Sequence, residues 1–283
     1  MVKSFYPLLG FPSISITGEK CALNCEYCEA KILKQMLSAN SPKKLEKILQ
    51  NLSKRGIRGA LISGGFTKEG KLPVKRYLTV IKQYSRKMVF SMHTLSVNEE
   101  EASLFRDAGI RIVDIPVSLD PIVLSKIRKL ENFRVEDLRR SLYNLLESGP
   151  QHIVPHIMIG ERYGKIVYEK IAIDFVSELS MKLVVFLVIY PYPGTSFYMV
   201  NPPSSNEILD ILRYARKKMD SEIALGCMRP PEVKKRVDDI ALREQFIDRI
   251  VAPLSWIEKK YDAERYKSCC SVPENLLLLF RMD

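Results

Sequence analysis

Cys21-Ala22-Leu23-Asn24-Cys25-Glu26-Tyr27-Cys28 sets three thiols at C-x3-C-x2-C spacing directly after an apolar, β-prone run, residues 11–17. The pattern predicts a metal site on a loop that leaves a strand. Cysteine thiolates are the usual ligands of iron-sulfur clusters. Spacings this short let one loop wrap three corners of a cubane [4Fe-4S] cluster and leave its fourth iron without a nearby protein ligand. A structural zinc knuckle is the alternative reading. Structural zinc takes four protein ligands, often as two C-x2-C pairs, and the sequence has no second pair.

Outward from that loop the chain alternates. Residues 11–17 read as a strand, and Ser41-Pro42 opens an amphipathic helix that Gly56 closes. Further strands are expected at 60–65, 88–94, 111–118, 151–159, 183–190 and 222–226, with helices between them at about 73–87, 98–108, 167–179 and 207–219. Residues 121–146 carry helical spacing interrupted near Glu131-Asn132-Phe133. The run 183–190, rich in Val and Leu, has the continuous apolar character of a strand buried on both faces. Repeated strand and helix units of this kind predict an α/β fold, a full or nearly full parallel (β/α) TIM-type barrel over residues 1–230. Past Arg229 the pattern loses its regularity, so residues 231–283 are expected to be a C-terminal helical appendage and tail packing on the barrel.

Composition narrows the functional classes. A chain of 283 residues can be one large domain, and 46% hydrophobic with 27% charged residues is ordinary globular usage that argues against extensive disorder. The start, Met1-Val2-Lys3-Ser4-Phe5, lacks the apolar core of a signal peptide, and no apolar run nears the roughly 18 residues of a membrane span. A cytoplasmic protein without membrane contact is expected. Six cysteines, three of them clustered, suit a reducing compartment and metal binding better than disulfides. A formal net charge of +11 favours an acidic partner. The basic residues are dispersed over helix-like segments with no recognised RNA-binding module, so nucleic acid is not the expected partner.

In parallel barrels the site forms at the C-terminal ends of strands. There the sequence has Ser63-Gly64-Gly65-Phe66, Pro116-Val117-Ser118-Leu119-Asp120, Ile157-Met158-Ile159-Gly160-Glu161, Tyr190-Pro191-Tyr192-Pro193-Gly194-Thr195 and Gly226-Cys227-Met228-Arg229-Pro230, with Cys269-Cys270 further on. Glycines at such an end let backbone groups approach a ligand, and otherwise make a turn. Asp120 can accept ribose hydroxyls, or cap the helix that starts at Pro121. Tyr27 can lean on an adenine ring or simply pack the loop. Any of Cys227, Cys269 and Cys270 can be a ligand or an inert core thiol. His93 and His156 fall near strand ends as candidate second-site ligands or proton carriers; His152, at a strand start, reads as structural.

Taken in order, the cysteine loop with Tyr27, Gly64-Gly65, Asp120, Gly160 and the Pro-Gly-Thr turn resembles the radical S-adenosylmethionine (SAM) superfamily. Within it the chain is similar to the biotin synthase-like and lipoyl synthase-like branch, and to one component of the two-protein archaeal lipoyl synthase. The resemblance implies that Cys21, Cys25 and Cys28 hold a [4Fe-4S] cluster that cleaves SAM reductively. It also gives Tyr27, Ser63, Gly64, Gly65, Ser118, Asp120, Gly160 and Glu161 to the binding of SAM. Phe66 stands where the superfamily often has Glu, and Ser118 where biotin synthase has Asn. Arg229 matches the arginine ligand of biotin synthase's second cluster, although the cysteine partners of that cluster are absent from residues 88–94, and Cys227, Cys269 and Cys270 are the thiols left to bind a second iron-sulfur cluster. The implied reaction is sulfur insertion into an unactivated C-H bond of an octanoyl-lysyl carrier protein. An acidic octanoylated lipoyl carrier, a second radical SAM subunit and an electron donor such as ferredoxin are the implied partners. A methylase or cofactor-maturation enzyme without sulfur insertion, and a non-enzymatic iron-sulfur redox sensor, are the competing expectations.

Overall fold

The computed structural model describes residues 2–282. Its strands are β1 Lys3–Phe5, β2 Ser13–Ser15, β3 Leu37–Ser38, β4 Gly59–Ser63, β5 Val89–His93, β6 Ile112–Pro116, β7 His152–Ile159, β8 Leu183–Val188, β9 Glu222–Leu225, β10 Arg249–Val251 and β11 Glu264–Tyr266. The chain divides into two compact units. One holds Leu8–Ile115 and Leu124–Ile153; the other holds the chain through Pro7, Pro116–Val123 and everything from Val154 onward.

In the first unit β3, β2, β4, β5 and β6 form a parallel row. Successive side chains in a strand point to opposite faces, and here the two faces differ sharply. Ile14, Ile62, Met92 and Val113 are in register across four strands and all are 0% exposed. One residue further along lie Ser15, Ser63, His93 and Asp114, so the opposite face carries a polar row at the level of the cysteine loop. Ser63 Oγ lies 3.0 Å from His93 Nδ1. The helix Pro42–Lys54 starts as its sequence predicts, with the Ser41 hydroxyl accepting from Lys44 N and Pro42 in the first turn, and it buries Leu45, Leu49 and Leu52. The interrupted stretch resolves into a π turn, Val123–Ile127, and the helix Val135–Ser148. Between them Lys129 and Asn132 adopt left-handed φ values of 56° and 52°, which no continuous helix accommodates.

The second unit draws strands from both ends of the chain. Its parallel row runs β7, β8, β9, β10, β1, β11. Residues 231–283 thus supply two strands of the row, and the N-terminal β1 lies between them. Such three-residue strands are too short to show a periodicity, and their pairing joins opposite ends of the sequence. Charge and aromatic contacts fix the junction. The Arg249 side chain, 1% exposed, pairs with Glu222 and donates to Cys270 O and Val272 O at 2.9 and 2.6 Å. Lys3 Nζ reaches Glu222 and Glu274 at 2.8 and 2.6 Å, and Phe5 stacks on Tyr266 with 5.4 Å between ring centroids. The α/β class and parallel strands stand. Each row is an open, partial segment of TIM-type arrangement, ended by β3 in one unit and β11 in the other, in place of the full or nearly full barrel expected. Among the described residues no helix is long and apolar enough to cross a membrane.

Candidate metal centre

The loop 21–28 leaves the end of β2, and its backbone is tied to the end of β4 at several points. Ile16 N donates to Ser63 O at 2.8 Å, Gly65 N to Thr17 Oγ1 at 2.6 Å and Ala22 N to Phe66 O at 2.9 Å. Gly65 is required by this contact. A Cβ built there would lie 2.0 Å from Lys20 O and 2.4 Å from Cys21 Cα, distances at which backbone must move. The Gly64-Gly65 pair therefore serves the cysteine loop itself, which the sequence reading had not foreseen. We expect Gly65→Ala to lower the iron retained after anaerobic reconstitution by more than half, with SAM-independent far-UV circular dichroism unchanged. Full iron content in that variant would show that the loop tolerates the displacement.

Within the loop, Cys28 N and Glu29 N both donate to Cys25 O, at 3.1 and 2.8 Å, closing a tight turn between the second and third cysteines. Cys25 is buried, and Cys21 and Cys28 are half-buried. The hydrogen bond between Cys25 and Cys28 holds the Cys28 thiol below its ordinary value, with burial and the Cys21 sulfur opposing and the Ala30 backbone and Arg128 assisting. The same bond, and then burial, pushes Cys25 up. Three soft donors at this spacing on one partly buried loop fit an iron-sulfur cluster. Among the described residues no three His, Cys, Asp or Glu side chains converge on a single-ion site. Cys21 also borders an open cleft of about 790 Å³ lined with Thr17, Lys20, Gly65, Phe66 and Arg76. Tyr27 packs with its ring centroid 6.0 Å from the Arg128 guanidinium carbon. Sequence reasoning passed over Arg128, since nothing in its local pattern separates it from a surface basic residue; only 6% of it is exposed.

Ser118, Asp120, Gly160 and Glu161 belong to the second unit, where Ser118, Asp120 and Glu161 line a small cavity with Arg162, Tyr168 and Glu169. Asp120, 3% exposed, does cap its helix: Oδ1 accepts from Ile122 N at 2.9 Å and from Val123 N at 3.4 Å. Its Oδ2 lies 3.3 Å from Arg162 Nη1. Gly160 has φ +79° and a Cβ there would meet Pro203 at 2.5 Å, so the position needs glycine. Glu169 staples the following turn by accepting from Gly160 N at 2.8 Å and Val167 N at 2.7 Å. Burial raises the Glu169 carboxyl, with those backbone donors opposing. Arg162 and Glu169 were not foreseen, because their contacts depend on the path of the turn 160–168. In the Tyr190 to Thr195 stretch the Thr195 hydroxyl donates to Tyr192 O at 2.7 Å, closing the expected turn.

Cys227 follows β9 and Cys269 follows β11. The Cys227 thiol is raised, first by the protein packed around it and next by the nearby Cys269 sulfur, with Arg229 opposing. Cys227 keeps an exposed surface. Cys269 accepts from Ser271 Oγ at 3.1 Å, and Cys270 is buried. Arg229 is engaged elsewhere. Its guanidinium is fully buried and grips Asp238 in a fork, Nε to Oδ1 at 3.1 Å and Nη2 to Oδ2 at 2.9 Å, and it also donates to Val251 O at 2.8 Å and to Gly226 O. His156 Nδ1 lies 3.1 Å from Val154 O.

No family model and no curated protein matches the sequence. Solved structures do share its fold. HydG, a maturase of the [FeFe]-hydrogenase, is 14% identical with a TM-score of 0.65, over 89% of this chain and 57% of that one. Methylornithine synthase (PylB) is 12% identical with a TM-score of 0.59, over 90% of this chain and 73% of that one. Streptococcus suis SuiB, solved bound to S-adenosylmethionine, is 15% identical with a TM-score of 0.53, over 89% of this chain and 53% of that one. The likeness is one of fold, and this chain spans little more than half the length of HydG and SuiB.

Proposed function

We propose that the protein is a radical SAM enzyme. A [4Fe-4S] cluster on the loop 21–28 would chelate SAM at its open iron and, on reduction, supply a 5'-deoxyadenosyl radical for hydrogen abstraction. The observation that carries this reading is the loop bearing Cys21, Cys25 and Cys28, turned tightly at Cys25 and held at a β4 end where only glycine fits. The fold shared with SuiB, a protein solved with SAM, supports it. Cys21, Cys25 and Cys28 bind the cluster, and Gly65 and Phe66 hold the loop in shape. The resemblance gives Asp120 and Ser118 the ribose, and Gly160 and Glu161 the adenine. Measuring 5'-deoxyadenosine formed from SAM under dithionite tests the reading: no product from iron-loaded protein would favour a redox sensor.

Asp120 has two readings that one variant separates. As a ribose ligand, Asp120→Asn weakens SAM binding by about 1–3 kcal/mol, the range for a hydrogen bond to a charged group. As a helix cap alone it lowers the melting temperature and leaves SAM affinity unchanged.

For the reaction itself we favour sulfur insertion into an octanoyl-lysyl carrier protein, with a second iron-sulfur cluster at Cys227, Cys269 and Cys270 as sulfur donor. The influence of the Cys269 sulfur on the Cys227 thiol and the basic charge, which suits an acidic carrier, support it. A second radical SAM subunit and a ferredoxin-like donor belong to the same proposal. One observation favours the competing reading of a methylase or maturation enzyme: Arg229 is committed to Asp238, so it acts on Cys227 only through its charge. Sulfur insertion predicts about eight irons per chain if both clusters are cubanes, and about four in a Cys227, Cys269 and Cys270 triple variant that still cleaves SAM. A wild-type protein with about four irons supports the competing reading.

A further inference from the structure

The cysteine loop rests against a buried cation. Arg128 follows the π turn Val123–Ile127 and is 6% exposed. Its carbonyl lies 3.6 Å from Cys25 Sγ, the preceding carbonyl of Ile127 accepts from Glu26 N at 2.9 Å, and its guanidinium carbon is 6.0 Å from the centroid of the Tyr27 ring. Three consecutive loop residues, 25–27, are therefore registered against residues 127 and 128, all within one compact unit. The guanidinium thus stands against the ring of Tyr27, the residue just before Cys28. A buried guanidinium is costly to desolvate. It does not lose its proton at any ordinary pH, and beside a buried partner its field is weakly screened.

We propose that Arg128 is a positioning residue that sets the reduction potential of the cluster held by Cys21, Cys25 and Cys28; the proposal rests on the reading of that loop as a cluster site. Reducing a [4Fe-4S] cluster adds one negative charge, and burial, net charge and hydrogen bonds to sulfur are the levers by which protein tunes its potential. Arg128 supplies a fixed cation against the loop that carries the three ligands, which favours the reduced state. The Tyr27 ring, lying against the guanidinium, holds that charge at the loop. Arg128 thus makes the cluster easier to reduce without touching SAM.

The test is an EPR-monitored potentiometric titration of full-length reconstituted protein without SAM, comparing wild type with Arg128→Met and Arg128→Lys. Arg128→Met is expected to raise the oxidised-to-reduced ratio at a fixed potential at least tenfold, a downward shift of about 59 mV for a one-electron couple. Arg128→Lys, which keeps the charge, is expected to shift the balance by less than half of that on a logarithmic scale. An Arg128→Met protein with full iron and the wild-type potential overturns the proposal. If Arg128→Met retains no iron, Arg128→Lys decides: iron retained at a near-wild-type potential supports the role of charge. Loss of iron from both variants at the wild-type melting temperature overturns it, because the loop then depends on the shape of arginine. Wild-type protein that takes up no iron defeats the reading of the loop itself, a result distinct from any of these.

Discussion

Replacing Cys21, Cys25 and Cys28 together by Ala should remove about four irons per chain from the reconstituted protein and abolish formation of 5'-deoxyadenosine under dithionite. The expected loss is complete because the three thiols lie on one loop, with no fourth cysteine in the same unit to substitute. The fold should survive. Only Cys25 is buried, and the loop is held by backbone bonds from Ala22, Glu26, Cys28 and Glu29 that alanine retains. A triple variant that kept its iron, or still made 5'-deoxyadenosine, would remove the cysteine loop from the chemistry.

The largest stability effect should come from Arg229→Met. Both members of the Arg229 and Asp238 pair have fully buried side chains, and removing one partner strands a carboxylate whose protonation burial already favours. Breaking such a pair costs about 3–5 kcal/mol, whereas replacing both members by well-packed apolar groups is often neutral or stabilising. Arg229→Met should therefore lower unfolding free energy by that amount in denaturant titrations. Arg229→Met combined with Asp238→Leu should recover most of the loss, with a coupling energy that a double-mutant cycle reads directly. Equal destabilisation by the single and double variants would show that Arg229 acts through its carbonyl contacts instead.

The sequence made the cysteine loop legible because its chemistry is local: three thiols within eight residues need no knowledge of the fold. The first unit was legible for a similar reason. Its strands β4 and β5 and the helix Pro42–Lys54 appear close to where spacing and capping signals place them, whereas the two-residue β3 was not expected. In the second unit β1, β10 and β11 left no pattern in the sequence, because they are three residues long and pair across the whole chain. Nothing local marks Lys3 as the neighbour of Glu222 and Glu274. Arg229 shows a related difficulty. Its place at the end of β9 was correctly read, but the partner that consumes its guanidinium, Asp238, sits in the next helix, Pro231–Arg243, and only packing reveals the pair. Gly65 had the right residue type for a less specific reason, since close approach of backbone was expected toward a ligand and is observed toward Lys20 and Cys21.

The most direct measurement is Mössbauer spectroscopy of anaerobically reconstituted protein with iron and sulfide counting, before and after addition of SAM. The account predicts a [4Fe-4S] signal in which one iron of the cubane changes its parameters when SAM binds, and which disappears in the Cys21, Cys25 and Cys28 triple variant. A cluster whose four irons all ignore SAM, or a protein that binds zinc at the loop and assembles no cluster, would contradict it.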